Sequence, residues 1–481
     1  MNVIVLLALP LAAAVLCCLP WRRVASGVTL ASSVAVLVVS VQLAGRVVST
    51  GPVVAIPKWI AVDGLSALVL LLIAYVGATA AVFSWGYMSV NSHEPRRLRL
   101  YYANYNLFIF SMLAIPVSME PTLVWIVVEL TTVCSALLVC FENTREALEA
   151  AWKYVVLSLM GAAVALLGFL VLFAAMQAAG GGTYTWEGLV AAAPKMPAVL
   201  LQTAFVLILV GLGTKVGLVP MHTWLPDAHS QAPSPVCALL SGVETTAVLY
   251  VILRLFPVLK AAPTAHAEVW AMVFGLASVG VAAFLLLQVR DYKRMFAFST
   301  VEHMGIILLA AGLGTSAAHY GALYQALNHT LTKSFCFFAA GAALLAVGTR
   351  EIASVRGLIR TSPTAGASLL IGGLAIAGAP PFAVFLSEFS ILKAGLAEGR
   401  YLVMGLLVLF VAIGFFGIML HVNRMVFGQS EAGETPAPPS RLPVSCVATL
   451  CVSALFVIAL GLYLPEPLHQ LLLLGATALE R

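Results

Sequence analysis

Eight acids and lysines stand in or at the edges of long apolar runs: Glu129, Lys153, Lys215, Glu244, Glu302, Lys333, Glu388 and Lys393. His303 and His329 join them, the latter four residues before Lys333 and so on the same helix face. Carboxylates, amines and imidazoles are the side chains that take up and release protons, imidazole near neutral pH. A charge at the centre of a spanning helix costs about 2.5–3.5 kcal/mol, so eight would cost roughly 20–28 kcal/mol. That exceeds the ~5–15 kcal/mol stability of an ordinary domain. Such groups must be paired, hydrated, neutralised or near an interface, and by default they mark ion paths.

An interfacial position accounts for some of them equally well. Lys153 is expected to start its helix and could snorkel to the surface, with Glu149 four residues earlier as a local partner. Lys393, Glu244 and Glu302 could also lie near an interface, and His329 could be purely structural. Glu129, well inside its apolar run, and Lys215, preceded by more than fifteen apolar or small residues, resist that reading.

Other chemistries find little support. The eight cysteines form no CxxC pair and read as small buried hydrophobes. No iron–sulfur or haem ligand set is visible. Gly211, Gly213 and Gly217 fall in an apolar helix, not a nucleotide loop. His222, Asp227 and His229 have no standard zinc spacing and read as a structured loop. The chain is therefore expected to hold no metal and no cofactor. Its small net charge of +5, spread between apolar runs, gives no reason to expect nucleic acid.

The elements that must carry these residues are spanning helices. Hydrophobic residues make up 62% of the chain and charged residues 9%, against about a quarter charged in soluble domains. With about 20 apolar residues per span, fourteen candidates fall near 3–20, 25–45, 64–89, 104–119, 122–141, 154–178, 198–219, 236–259, 267–288, 295–314, 320–347, 366–397, 402–426 and 444–464. The first could imitate a signal peptide, but similar runs continue throughout, so it reads as a span. Gln429 to Arg441 reads as an exposed loop. The odd-numbered loops hold fourteen Lys and Arg, including Arg22 and Arg23, and the even-numbered loops six. Odd loops should therefore face the cytoplasm and both termini the other side.

Two of these helices should be broken. One break is Gly211-Leu-Gly-Thr-Lys215-Val-Gly-Leu-Val-Pro220; the other is Gly378-Ala-Pro380-Pro381, seven residues before Glu388. Proline removes an amide donor and clashes with the preceding turn. Backbone freed at membrane depth is tolerated where it lines a cavity or is buried in protein. Glu129 to Lys215 and Glu302 to Glu388 both span 86 positions. Matched breaks in two halves are the sequence sign of inverted repeats. The expected organisation is helices 1–3 at 1–103, a first five-helix repeat at 104–260, an inverted second at 261–427, and a loop with the last helix at 428–481.

Lys215-Val-Gly-Leu-Val-Pro-Met-His-Thr-Trp-Leu-Pro-Asp-Ala-His-Ser-Gln-Ala-Pro-Ser-Pro235 closely resembles the signature of the antiporter-like subunits of respiratory complex I and its relatives. Arg97 to Ser111, Asp291-Tyr-Lys-Arg-Met, His329-Thr-Leu-Thr-Lys333 and Gly378-Ala-Pro-Pro-Phe before Ser387-Glu-Phe support it. Phe298-Ser-Thr-Val-Glu-His-Met-Gly305 looks most like component F of hydrogenase-4, of membrane-bound hydrogenase and formate hydrogenlyase-type complexes. The resemblance implies an all-α fold of about fourteen spanning helices with two inverted five-helix repeats and two broken helices, in a bacterial inner membrane. It implies a proton path in which Glu129, Lys215, Lys333 and Glu388 match the family's positions; Lys153, Glu244, His303 and His329 join that path from their own types and places in the apolar runs. Glu129 would pair with Lys215, and Glu388 would deliver protons outward. Partners would be other membrane subunits and a peripheral redox arm. Many relatives carry a lysine where Thr246 stands, which leaves the link between the halves to other groups. A sodium/proton antiporter subunit and a non-pumping membrane anchor are the rival readings.

Overall fold

The computed structural model of the protein describes residues 2–19, 24–90, 94–262, 268–429 and 441–480. Arg22, Arg23 and most of the polar link after Gln429 (430–440) lie outside the described residues. The chain is almost wholly helical, as an apolar chain must be where no water is present to satisfy its backbone.

Helices α1 (Asn2–Cys17) and α2 (Val24–Thr50) lead to a short hairpin of β1 (Val53–Ile56) and β2 (Ile60–Val62). Then follow α3 (Gly64–Val90), α4 (Pro95–Val117), α5 (Pro121–Val139), α6 (Arg145–Ala178) and the short α7 (Trp186–Ala192). The first broken helix is α8 (Ala198–Val216) with α9 (Trp224–Gln231). Next comes one long helix whose regularity changes midway: α10 (Ser234–Leu239), a π-helical turn at Leu240–Glu244, α11 (Thr245–Leu253) and α12 (Phe256–Ala261). Helices α13 (Glu268–Gln288), α14 (Tyr292–Gly312), α15 (Ser316–Val347) and α16 (Leu358–Thr361) precede the second broken helix, α17 (Pro363–Ile376) with α18 (Ala383–Ala397). The chain ends in α19 (Tyr401–Phe427), α20 (Val444–Leu462) and α21 (Glu466–Ala478).

Twelve helical segments among the described residues are long and apolar enough to cross a membrane. The remaining two expected runs appear as α1, which is shorter, and as the α17–α18 pair, which is interrupted. The apolar window of Ser234–Ala261 is 100% buried, whereas those of α2, α19 and α20 are 33% buried. The π-containing helix is thus the axis of the molecule and the others wrap it. Gly161 on α6 lies so close to α8 that a Cβ there would sit 2.6 Å from the Gly211 carbonyl oxygen. Small residues are what lets membrane helices approach in this way.

Both breaks fall where expected. Gly217 takes φ of 87° and ends α8, and Gly378 takes φ of 76° after α17. These left-handed conformations favour residues without a Cβ. The loop after α8 is tied back by Trp224, whose indole donates to the Thr214 carbonyl at 2.7 Å, and by the Leu218 amide on Gly213. The segment from His222 to His229 therefore caps the broken helix. Among the described residues, no three His, Cys, Asp or Glu side chains gather as a metal site.

Near the hairpin, Asp63 and Arg254 tie α3 to α11. Arg254 donates to both Asp63 oxygens at 2.5 and 2.6 Å and to the hydroxyls of Tyr250 and Ser66. Burial alone would push the Asp63 carboxyl up, but the Arg254 charge and the Ser66 amide hold it below the usual carboxylate range.

Candidate functional site

Lys215 lies in the last turn of α8. Its ammonium donates to the Val128 carbonyl at 3.1 Å and to the Thr132 hydroxyl, both on α5. It pairs with Glu244 at 3.3 Å, and the two side chains are only 3% and 1% exposed. The Tyr154 hydroxyl on α6 donates to the same Glu244 oxygen at 3.1 Å, Ser135 lies 3.4 Å from it, and these two hydroxyls bond each other at 2.7 Å. The Tyr154 ring faces the ammonium at 5.8 Å, a cation–π contact.

The pairing differs from the expected one. Glu129 does not form the ion pair with Lys215; Glu244 does. Glu129 is half-buried on α5, beside exposed Ile126, Leu130 and Val133. It remains within electrostatic reach of Lys215 and Glu244, and its Oε2 has no partner among the described residues. Glu244 is fully buried, not interfacial, because the π turn ends on it at the centre of the molecule. Single π turns interrupt the regular ladder and are frequent at functional sites.

The same turn faces the second half. The Ser241 carbonyl lies 3.1 Å from Nε2 of His329, and the Gly242 carbonyl accepts from the Thr330 hydroxyl at 2.7 Å. The Ser241 and Thr300 hydroxyls meet at 2.6 Å. Thr246 donates to the Gly242 carbonyl at 3.2 Å. Five residues of backbone therefore touch Lys215 through a carboxylate and His329 through a carbonyl.

In the second half, Lys333 is fully buried and donates to the Phe296 carbonyl at 2.8 Å and to the Ser299 hydroxyl. The rings of His303 and His329 stand 5.3 Å apart. His303 contacts the Ile376 carbonyl just before the second break, and the Gln325 amide, each at 3.0 Å. Nδ1 of His329 has no partner among the described residues. Glu302 is buried against Gly414 of α19, where no Cβ would fit. Glu388 presses on Gly378, whose missing Cβ would lie 2.6 Å from its carboxylate. It lines a cavity of ≈ 310 Å³ with Phe385, Phe389, Val408 and Phe416.

Lys153 stands apart from the buried groups. Helix α6 begins at Arg145, not at the lysine, and Lys153 lies on the outer surface with its side chain 41% exposed. It pairs with Glu149 at 2.8 Å and Asp227 at 3.2 Å, and Asp227 also holds Arg294 at 2.5 Å. With Glu146 and Gln231 these groups line a mouth of ≈ 140 Å³. Lys393 is exposed on α18. Pro220, Pro380 and Pro381 all lie in the two breaks.

The neutral partners Thr132, Ser135, Tyr154, Ser299, Gln325 and Ser387 escaped sequence reasoning. A signal existed on α15, where Gln325, His329 and Lys333 repeat every four residues in an apolar run.

Residues 118–414 match the family described as "NADH:quinone oxidoreductase/Mrp antiporter, TM". Residues 53–101 match "NADH-Ubiquinone oxidoreductase (complex I), chain 5 N-terminus". The "Hydrogenase-4 component F homolog" of Methylacidiphilum infernorum (isolate V4) is 38% identical over 413 residues, covering 84% of this chain and 85% of that protein. A chain of the membrane-bound sulfane sulfur reductase, an archaeal respiratory membrane complex, has a TM-score of 0.89 at 25% identity, covering 99% of this chain and 97% of its own. A chain of the Mrp complex from Dietzia sp. DQ12-45-1b has a TM-score of 0.87 at 20% identity with the same coverage, a likeness of fold alone.

Proposed function

The chain belongs to the NADH:quinone oxidoreductase/Mrp antiporter membrane family, and from that premise we propose that it is the proton-translocating membrane subunit of a redox-driven complex of the membrane-bound hydrogenase or complex I type. Other membrane subunits and a peripheral redox arm would be its partners. The division into repeats at 104–260 and 261–427, the bacterial inner membrane and non-cytoplasmic termini belong to the same reading. The observation that carries it is the Lys215–Glu244 pair at the π turn whose carbonyls meet His329 and Thr330.

Protons enter at the mouth formed by Lys153, Asp227 and Arg294. In the resting state Lys215 and Glu244 neutralise each other. Lys215 passes its proton to Glu244 across the 3.3 Å contact, and a movement relayed from the neighbouring subunit then parts the two neutral groups. Glu244 passes the proton to His329 across the π turn, and Glu129 is near enough to serve as the counter-charge when Lys215 is next protonated. The unpartnered oxygens of Glu129 and Glu244 and Nδ1 of His329 are the atoms that water would join, since buried polar atoms without a protein partner recruit it. His303 and Lys333 receive the proton in the second half. Electron transfer belongs to other subunits.

Lys215→Ala in the assembled complex tests this reading. Proton translocation should be lost at normal subunit levels. Unchanged pumping would refute it, and a requirement for sodium without any redox substrate would assign the chain to the antiporters.

A further inference from the structure

One face of α15 stays polar from Lys333 down to Tyr320, a rise of about 20 Å at ~1.5 Å per residue. Lys333, His329 and Gln325 follow each other at four-residue steps, and so do Thr332, Asn328, Tyr324 and Tyr320. Residues four apart are neighbours on a helix surface. Polar side chains in this arrangement are costly inside a membrane unless they serve a path or a partner.

Hydrogen bonds and a ring contact link most rungs of this face. Gln325 joins His303 at 3.0 Å and, on its other end, the Ser387 hydroxyl. Glu388 follows Ser387 directly on α18. Asn328 donates to Ser387 at 3.1 Å and to the Ala383 carbonyl at 2.8 Å. Tyr324 stands one turn before Asn328 on the same row of α15. The rings of Tyr324 and Tyr320 lie 6.1 Å apart. The Tyr320 hydroxyl then meets Nδ1 of His469 at 2.8 Å. His469 sits on α21, which is locked against the bundle: Leu474 packs on Gly64 and Gly475 on Leu323. Glu466, one turn earlier on α21, is exposed and within electrostatic reach of Tyr320. Tyr320 is near the start of α15, whereas Arg350, just past its end, contacts Ser230 and Gln231 beside the Asp227 mouth. The ladder therefore ends on the face opposite that mouth.

We propose that this ladder is the release path of the second half, and that His469 is the residue that hands protons to the water on the far face. The proposal rests on the chain being a proton-translocating subunit. Tyr320 gives its hydroxyl proton to Nδ1 of His469 while taking one from the Tyr324 side, where a bridging water completes the step. His469 then loses its Nε2 proton to the aqueous phase, and ring rotation resets it. Glu466 offers a nearby counter-charge while His469 is charged. Glu388 feeds this ladder by way of water held beside Gln325, whose amide orients the path through His303 and Ser387 and does not itself carry the proton. It does not empty outward directly, because its cavity opens between Phe389 and Phe416, which are 57% and 69% exposed on the apolar surface.

The test uses the complete complex in sealed vesicles, with His469→Asn, His469→Asp and Tyr320→Phe. Asparagine keeps an acceptor for Tyr320 but cannot titrate; aspartate can. His469→Asn should slow proton release on the order of tenfold or more, the scale on which a missing proton carrier is felt. Tyr320→Phe should do the same, and His469→Asp should restore most of the rate. Normal release in His469→Asn, beside loss in Lys215→Ala, would overturn the release path and leave the wider reading standing. Failure of aspartate to restore release would also overturn it, by showing a structural role. Normal translocation in all of these variants and in Lys215→Ala would refute the wider reading itself.

Discussion

Glu244→Gln removes one charge from the centre of the molecule and little else. Glutamine has nearly the same shape, and its carbonyl oxygen can still accept from Tyr154 and Ser135, at 3.1 and 3.4 Å in the native arrangement. Lys215 keeps the Val128 carbonyl and the Thr132 hydroxyl, both neutral acceptors. What disappears is an ion pair at 3.3 Å and, with it, the carboxylate that takes the proton from Lys215. With an effective dielectric of about 20, that attraction is roughly 5 kcal/mol. It agrees with the ~3–5 kcal/mol lost when one partner of a buried pair is removed. At about 1.4 kcal/mol per tenfold, the balance between paired and parted states moves by two to three orders of magnitude or so. The switch would lose its resting state. Inverted membrane vesicles given the electron donor should show proton uptake lowered about a hundredfold or more, with the subunits still assembled. Wild-type uptake by an assembled Glu244→Gln complex would refute the assignment of Glu244 as the partner that matters.

Two further outcomes follow from the charges at the edges. The Asp63 carboxyl is held below its ordinary range in the folded protein, so its contribution is complete above the ordinary carboxylate pKa and is lost as pH falls from there through the lower folded value. Thermal melts in detergent should therefore lose stability only on that acid side, and Asp63→Asn, which strands the buried Arg254, should cost about 3–5 kcal/mol at neutral pH and remove that acid step. Asp227→Asn breaks the contacts to Lys153 and Arg294 at the exposed mouth; proton uptake should slow while the yield of assembled complex is unchanged.

The charges themselves were legible because acids and lysines stand out in apolar runs, and the breaks because Gly and Pro announce them. The long motif from Lys215 to Pro235 carried the family. The partner of Lys215 was not legible. A π turn differs from an α turn by one residue of hydrogen-bond register, and no residue type in Leu240 to Glu244 declares it. Glu129 was the expected partner, and the π turn instead places Glu244 against Lys215. Lys153 misled because the polar first turns of α6, Arg145 to Glu149, hid the true start of the helix. The doubt raised by Thr246 has a backbone answer: the junction uses the Ser241 and Gly242 carbonyls, which no side-chain pattern displays. Neutral relays such as Tyr154, Asn328 and Tyr320 blend into apolar helices unless their four-residue spacing is counted.

In the proposed function, electron flow in partner subunits drives protons through the Lys215 site. The most direct measurement purifies the complex through this chain, reconstitutes it in sealed liposomes, and records protons moved per electron transferred for the native chain and for Lys215→Ala. The purified complex should contain redox subunits and move protons during turnover, and in the Lys215→Ala complex that ratio should collapse. An undiminished ratio in Lys215→Ala would contradict it.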